Sequence, residues 1–134
     1  MKDFVLSNDM LNMRGQFYPT GHIVAMFPGA DAAQAAARAL MDAGVSGDDI
    51  SLITPEVMQR DLGAKARASQ ETMPSAGTEA DTVLRFADYA SKGHYALLIH
   101  APHNEDSDRV MKALQGHEPS HAQRYRMLVI EDLA

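Results

Sequence analysis

The stretch GHIVAMFPGADAAQAAARALMDAGVSGDDISLITPE, residues 21–56, constrains the fold more than any other part of the chain. It encodes a strand, a helix and a second strand. The strand HIVAMF is apolar on both parities, with Ile23, Ala25 and Phe27 on one face and Val24 and Met26 on the other. A strand of that kind must be covered on both sides. Pro28-Gly29 ends it, and Asp31 is placed either to cap the helix or to sit as a carboxylate in its first turn. The helix runs to about Ala43 and stops at Gly44, with Ala32, Ala35, Ala36, Ala39 and Ala43 beside Leu40 on an expected sheet-facing side. Val45 and the turn from Ser46 to Asp49 lead into a strand over residues 50–54, closed by Pro55.

A weaker copy starts at Gly93 with GHYALLIHAPHNEDSDRVMKALQGH and closes with RYRMLVIEDL. It predicts a strand over residues 95–99 that is again apolar on both parities. A helix opens at Asn104 or Ser107 with Val110, Met111 and Leu114 inward. A last strand covers residues 124–131, with Tyr125, Met127 and Val129 on one parity and Leu128 and Ile130 on the other.

Residues 55–92 are too long for a hairpin loop. Pro55 fits the first helical position behind Thr54 as cap, and Val57, Met58, Leu62 and Ala66 share a stripe. A break at Met73-Pro74-Ser75-Ala76-Gly77 precedes a second helix. Thr78 caps it with Asp81 at the third position, and Ala80, Val83, Leu84, Ala87 and Ala90 line one face. Residues 1–20 read as an N-terminal arm anchored by Phe17 and Tyr18.

The order is therefore βαβ, a helical pair, then βαβ. With right-handed crossovers this predicts an α+β, ferredoxin-like βαββαβ sandwich. Its antiparallel four-stranded sheet would have the order fourth, first, third, second, and a two-helix insert would lie between the second and third strands. At 134 residues the chain reads as a single domain. Its parts are the arm (1–20), the first unit (21–54), the insert (55–92) and the second unit (93–134). A flavodoxin-like fold would need more strand–helix repeats. Two helices cover only one sheet face, so the other needs a cover: the insert, or a second copy of the chain. A homodimer or larger homo-oligomer is the expectation.

GHIVAMFPGADAAQAAARALMDAGVSGDDISLIT resembles the opening of bacterial general-stress-protein-type domains, and RYRMLVIEDL resembles the closing strand of related uncharacterised proteobacterial proteins. The resemblance covers the two βαβ units and not the insert. It implies a ferredoxin-like fold and a stress-linked role, and it supplies no catalytic residues. Some members carry a glycine-zipper or membrane-like middle segment; this chain has a polar helical insert there, so membrane association does not carry over.

The net charge of −6 argues against binding a phosphate backbone, which needs clustered basic residues. Arg124 with Arg126 is the one basic pair to note, alternating with Tyr125 and Met127 on what reads as an edge strand, where basic residues discourage strand addition. The absence of cysteine removes disulfides, thiolate ligands and cysteine nucleophiles. The opening MKDFVLSNDMLNMRG lacks the apolar run of a secretory signal, and no stretch approaches the ~20 apolar residues of a membrane helix. A cytoplasmic protein is expected, with no nucleic-acid or membrane partner.

The six histidines carry the only metal-like pattern. In the expected topology His22 lies across from His100, with His103 just beyond, a conceivable zinc, nickel or copper site. The alternative is hydrogen-bonded or solvated strand-end histidines. His94 falls near the loop with His117 and His121 at the opposite end. No phosphate loop, nucleophile elbow or HExxH is present. Asp48-Asp49 and Glu105-Asp106 fit turn and cap positions. No catalytic residue and no cofactor is assigned. Three functions remain open. The first is a non-enzymatic, self-associating module acting through protein contacts. The second is a small-molecule-binding domain or cofactor-free enzyme in which Tyr95, Tyr125 or a histidine donates a proton. The third is the histidine metal site. An enclosed pocket with convergent polar groups would favour the second over the first.

Overall fold

A computed structural model describes residues 1–4, 19–63, 88–125 and 130–133, with the backbone alone at 61–63 and 130–132. The protein is α+β. Its strands are β1 (Lys2–Asp3), β2 (His22–Phe27), β3 (Ile50–Ile53), β4 (Tyr95–His100), β5 (His121–Tyr125) and β6 (Ile130–Asp132). Its helices are α1 (Ala30–Asp42), α2 (Pro55–Val57), which continues as a π-helical turn over Met58–Gly63, and α3 (Asn104–Ala113). One further helical stretch ends at residues 88–91.

Among the described residues the sheet is six-stranded and mixed, in the order β1-β3-β4-β2-β5-β6. This corrects the expected sheet of four antiparallel strands. The pairs β2–β4, β2–β5, β3–β4 and β5–β6 are antiparallel, and β1–β3 is parallel. The two extra strands lie at the edges and are too short to show an alternating pattern. The expected strand over residues 124–131 is a second correction. It is two antiparallel strands, because the pairing with β2 begins at His121 and the chain returns at Ile130. Phe17, Tyr18, the break at Met73–Gly77 and the cap at Thr78 lie outside the described residues.

The first βαβ unit follows its punctuation closely. Helix α1 is capped by Gly29 without a side-chain bond, and Asp31 is in the first turn, where its charge meets the helix dipole. At the other end Val45 N–H donates to Leu40 O at 3.0 Å and Gly44 N–H to Met41 O at 3.1 Å. That pair of bonds is the Schellman stop, and it needs the left-handed backbone of Gly44, φ +98°. The stretch ending at 91 stops in the same way, with His94 N–H on Tyr89 O and Gly93 N–H on Ala90 O. The buried stripe of α1 is Ala33, Ala36, Ala37 and Leu40, rotated from the expected face. Alanines on every side leave little contrast, and Leu40 with the residues three, four and seven before it sets the contact line.

The core lies on both faces of the sheet. On one, Ile23, Ala25, Phe27, Leu97 and Ile99 pack under α1 and α3. On the other, Val24, Met26, Ala96 and Leu98 pack under Phe4, Met58 and Ala90, with Val57 and Tyr89 beside them. Met26 is 0% exposed and Leu98 2%. The second face is thus covered within one chain, by its N-terminal strand and by the described parts of the insert. Thr54 Oγ1 accepts from Val57 N–H at 3.3 Å and Pro55 occupies the first turn, so the insert starts as its sequence dictates.

Candidate functional site

Three strand ends meet at one edge of the core: the start of β2, the end of β4 and the end of β5. Gly21 ties them together. Its N–H donates to Tyr125 O at 2.8 Å, and its carbonyl accepts from Ala101 N–H at 2.8 Å. This requires a left-handed backbone, φ +79°, which glycine supplies without strain. His22 follows, in register with His100 on one side and Tyr125 on the other. The His22 and His100 rings lie 4.9 Å apart and tilted by 60°, and His22 Nδ1 is 3.1 Å from Thr20 O.

His103 is placed differently. It caps α3, with its N–H donating to Asp106 Oδ2 at 3.2 Å. Of the three expected metal ligands, the structure brings His22 and His100 together and gives His103 a capping position. Among the described residues no group of three or more histidine or acidic side chains is arranged to hold a metal ion.

Beside this strand-end cluster opens a cleft of about 410 Å³. Thr20 and Gly21 line it from the start of β2, Pro102, His103 and Asn104 from the start of α3, and Arg124 and Tyr125 from the end of β5. Arg124 is only 7% exposed. Its Nη1 donates to Asn104 Oδ1 at 2.9 Å, tying β5 to α3. Because β6 lies outside β5, Arg124 does not guard a sheet edge as its sequence context suggests; Arg126 is outside the described residues. A smaller cavity of about 130 Å³ lies between the end of α1 and α3, with Asp49, Asp106 and Arg109 among its walls.

At the opposite end of the sheet Tyr89 lies between two imidazoles. Its ring is 5.0 Å from His94 and 5.9 Å from His121, stacked on the latter, and its hydroxyl donates to Ser120 O at 3.4 Å. His94 Nδ1 is buried without a hydrogen-bond partner among the described residues. His117 instead closes the turn after α3, with its N–H on Leu114 O. The two candidate proton-donating tyrosines do not share a pocket: Tyr95 packs with the α1–α3 face and Tyr125 with the opposite one.

Sequence reasoning located the His22–His100 pair and missed the cleft beside it. The signal was available, since extending the strand register from β2 to the last strand places Arg124 next to the start of β2. The geometry defines an α+β domain with an open polar cleft at one end of its sheet. Comparison with protein-family models, curated proteins and solved structures finds no match.

Proposed function

We propose that this chain is a small-molecule-binding domain built on a ferredoxin-like βαββαβ frame extended at both edges, with its ligand in the cleft between β2, α3 and β5. The observation that carries this reading is the convergence of Thr20, His103, Asn104 and the buried Arg124 on one open cavity of about 410 Å³. That volume falls in the range of small-ligand pockets, roughly 300–1,000 Å³. A buried guanidinium held by a neutral amide is the kind of preset polar group that orients a ligand. The stress-linked role implied by the resemblance is compatible with a metabolite sensor or carrier.

The competing reading, self-association through an apolar sheet face, has less to work with. The central residues of that face are packed under the chain's own Phe4, Met58 and Ala90. Among the described residues the exposed large hydrophobics are Met1 and Met41. A fragment screen by amide NMR tests both readings. Shifts clustered on Gly21, Asn104 and Arg124 support the cleft. A screen that leaves those amides unmoved, together with a molar mass that rises with concentration in light scattering, would return the function to self-association.

A further inference from the structure

We infer that the ligand of the Arg124 cleft carries an oxyanion, a carboxylate or phosphate group, which the guanidinium of Arg124 binds; this rests on the small-molecule reading above. The charge of the cleft walls is one-sided. Among the described residues no aspartate or glutamate lines the cavity, and Arg124 is its one permanently charged side chain. Arginine cannot discharge by losing its proton, and a guanidinium has five N–H donors and no acceptor. The single bond to Asn104 Oδ1 uses one of those donors and neutralises no charge. No carboxylate among the described side chains pairs with it. A charge 7% exposed and with no carboxylate beside it among the described side chains is costly to maintain. An anion entering the cleft would offset that cost.

The neighbouring groups fit. With its oxygen turned to Arg124, the Asn104 amide keeps its NH₂ as a further donor, and Thr20 adds a hydroxyl at the rim. A forked guanidinium matches the paired oxygens of a carboxylate or phosphate at about 2.7–2.9 Å. The helix end is not what makes the site, because Glu105 and Asp106 already occupy the first turn of α3 and Asp106 Oδ2 takes the His103 N–H. The chain's charge of −6 opposes any anion from a distance, a long-range repulsion that salt screens, so the attraction must come from the contacts inside the cleft.

The test is a titration of the ¹⁵N-labelled full chain at fixed ionic strength with inorganic phosphate, with acetate, and with a set of uncharged fragments. Saturable shifts of the Gly21 and Asn104 amides and of the Arg124 Nε–H by phosphate or acetate are expected, and the tighter of the two arms identifies the oxyanion. Arg124→Gln should abolish them. Arg124→Lys, which keeps the charge without the fork, should weaken them about tenfold. Asn104→Ala, at an exposed helix position, keeps the fold and should weaken them several-fold even if Arg124→Gln fails to fold. Uncharged fragments that bind the cleft while neither anion does would overturn the oxyanion and leave the small-molecule reading standing. If no probe of either kind moves these amides, both fall. Glu131 faces Arg124 in the β5–β6 register. Anion binding that appears only in Glu131→Gln would assign Arg124 to a cross-strand ion pair and overturn the proposal.

Discussion

Replacing Met58 with alanine should cost about 3 kcal/mol of stability. Met58 is 1% exposed and packs from the insert onto Val24, Met26 and Leu98 in the second core cluster. Cutting the side chain beyond Cβ removes transfer free energy of about 2 kcal/mol, at about 0.8 kcal/mol per buried methylene-sized group. A residual cavity on the order of 50 Å³ adds about 1 kcal/mol more. Met41, 38% exposed on α1, is the control, and Met41→Ala should change stability by about 0.5 kcal/mol or less. Urea unfolding followed by circular dichroism, repeated over about a hundredfold range of protein concentration, reads both terms. If the second sheet face is covered within one chain, the midpoint of each variant is independent of concentration and the Met58 loss is full-sized. A Met58 loss below about 1 kcal/mol, or a wild-type midpoint that climbs with concentration, would show that another subunit covers that face.

Other substitutions probe the frame around the cleft. Gly44→Ala and Gly93→Ala should each cost about 1 kcal/mol in chemical denaturation, since both glycines are left-handed with open space around the missing Cβ, so the penalty is backbone alone; Gly44→Asn should cost less. Thr54→Ala should remove about 1 kcal/mol and Thr54→Ser should retain most of it, because the hydroxyl bond to Val57 N–H starts the insert helix. Phe4→Ala should cost about 3 kcal/mol and raise binding of a hydrophobic dye, by uncovering the sheet face that Phe4 packs on.

What was readable in the chain, and what was not, follows from contrast. His22–Phe27 is apolar on both parities between Gly21 and Pro28-Gly29, so its bounds and its central place were legible. Two antiparallel central strands then placed His22 opposite His100. The strand His121–Tyr125 shows no such contrast. It buries His121, Gln123 and Arg124, and buried polar residues look like loop in a sequence. The apolar run just beyond it drew the expected strand too far along. Its last two residues, Arg124 and Tyr125, line the cleft; both lay inside the expected strand, and reading Arg124 as an edge guard is what hid the site. Lys2–Asp3 is a strand only because β3 offers a free edge, and nothing local encodes that.

The pairing of β2 has a consequence for how the chain comes to be made. Both neighbours of β2 come from the second half of the sequence: Phe27 waits for Tyr95, and Met26 waits for His121. During synthesis the most apolar strand therefore leaves the ribosome with its helix but without either partner, and it stays unpaired until β4 has followed. Long-range pairing of that kind slows folding and leaves sticky surface exposed meanwhile. Alanine-rich α1, which can form at once, is placed to shield one side of β2 meanwhile. The cleft at Gly21 can close only when Tyr125 arrives to accept the Gly21 N–H.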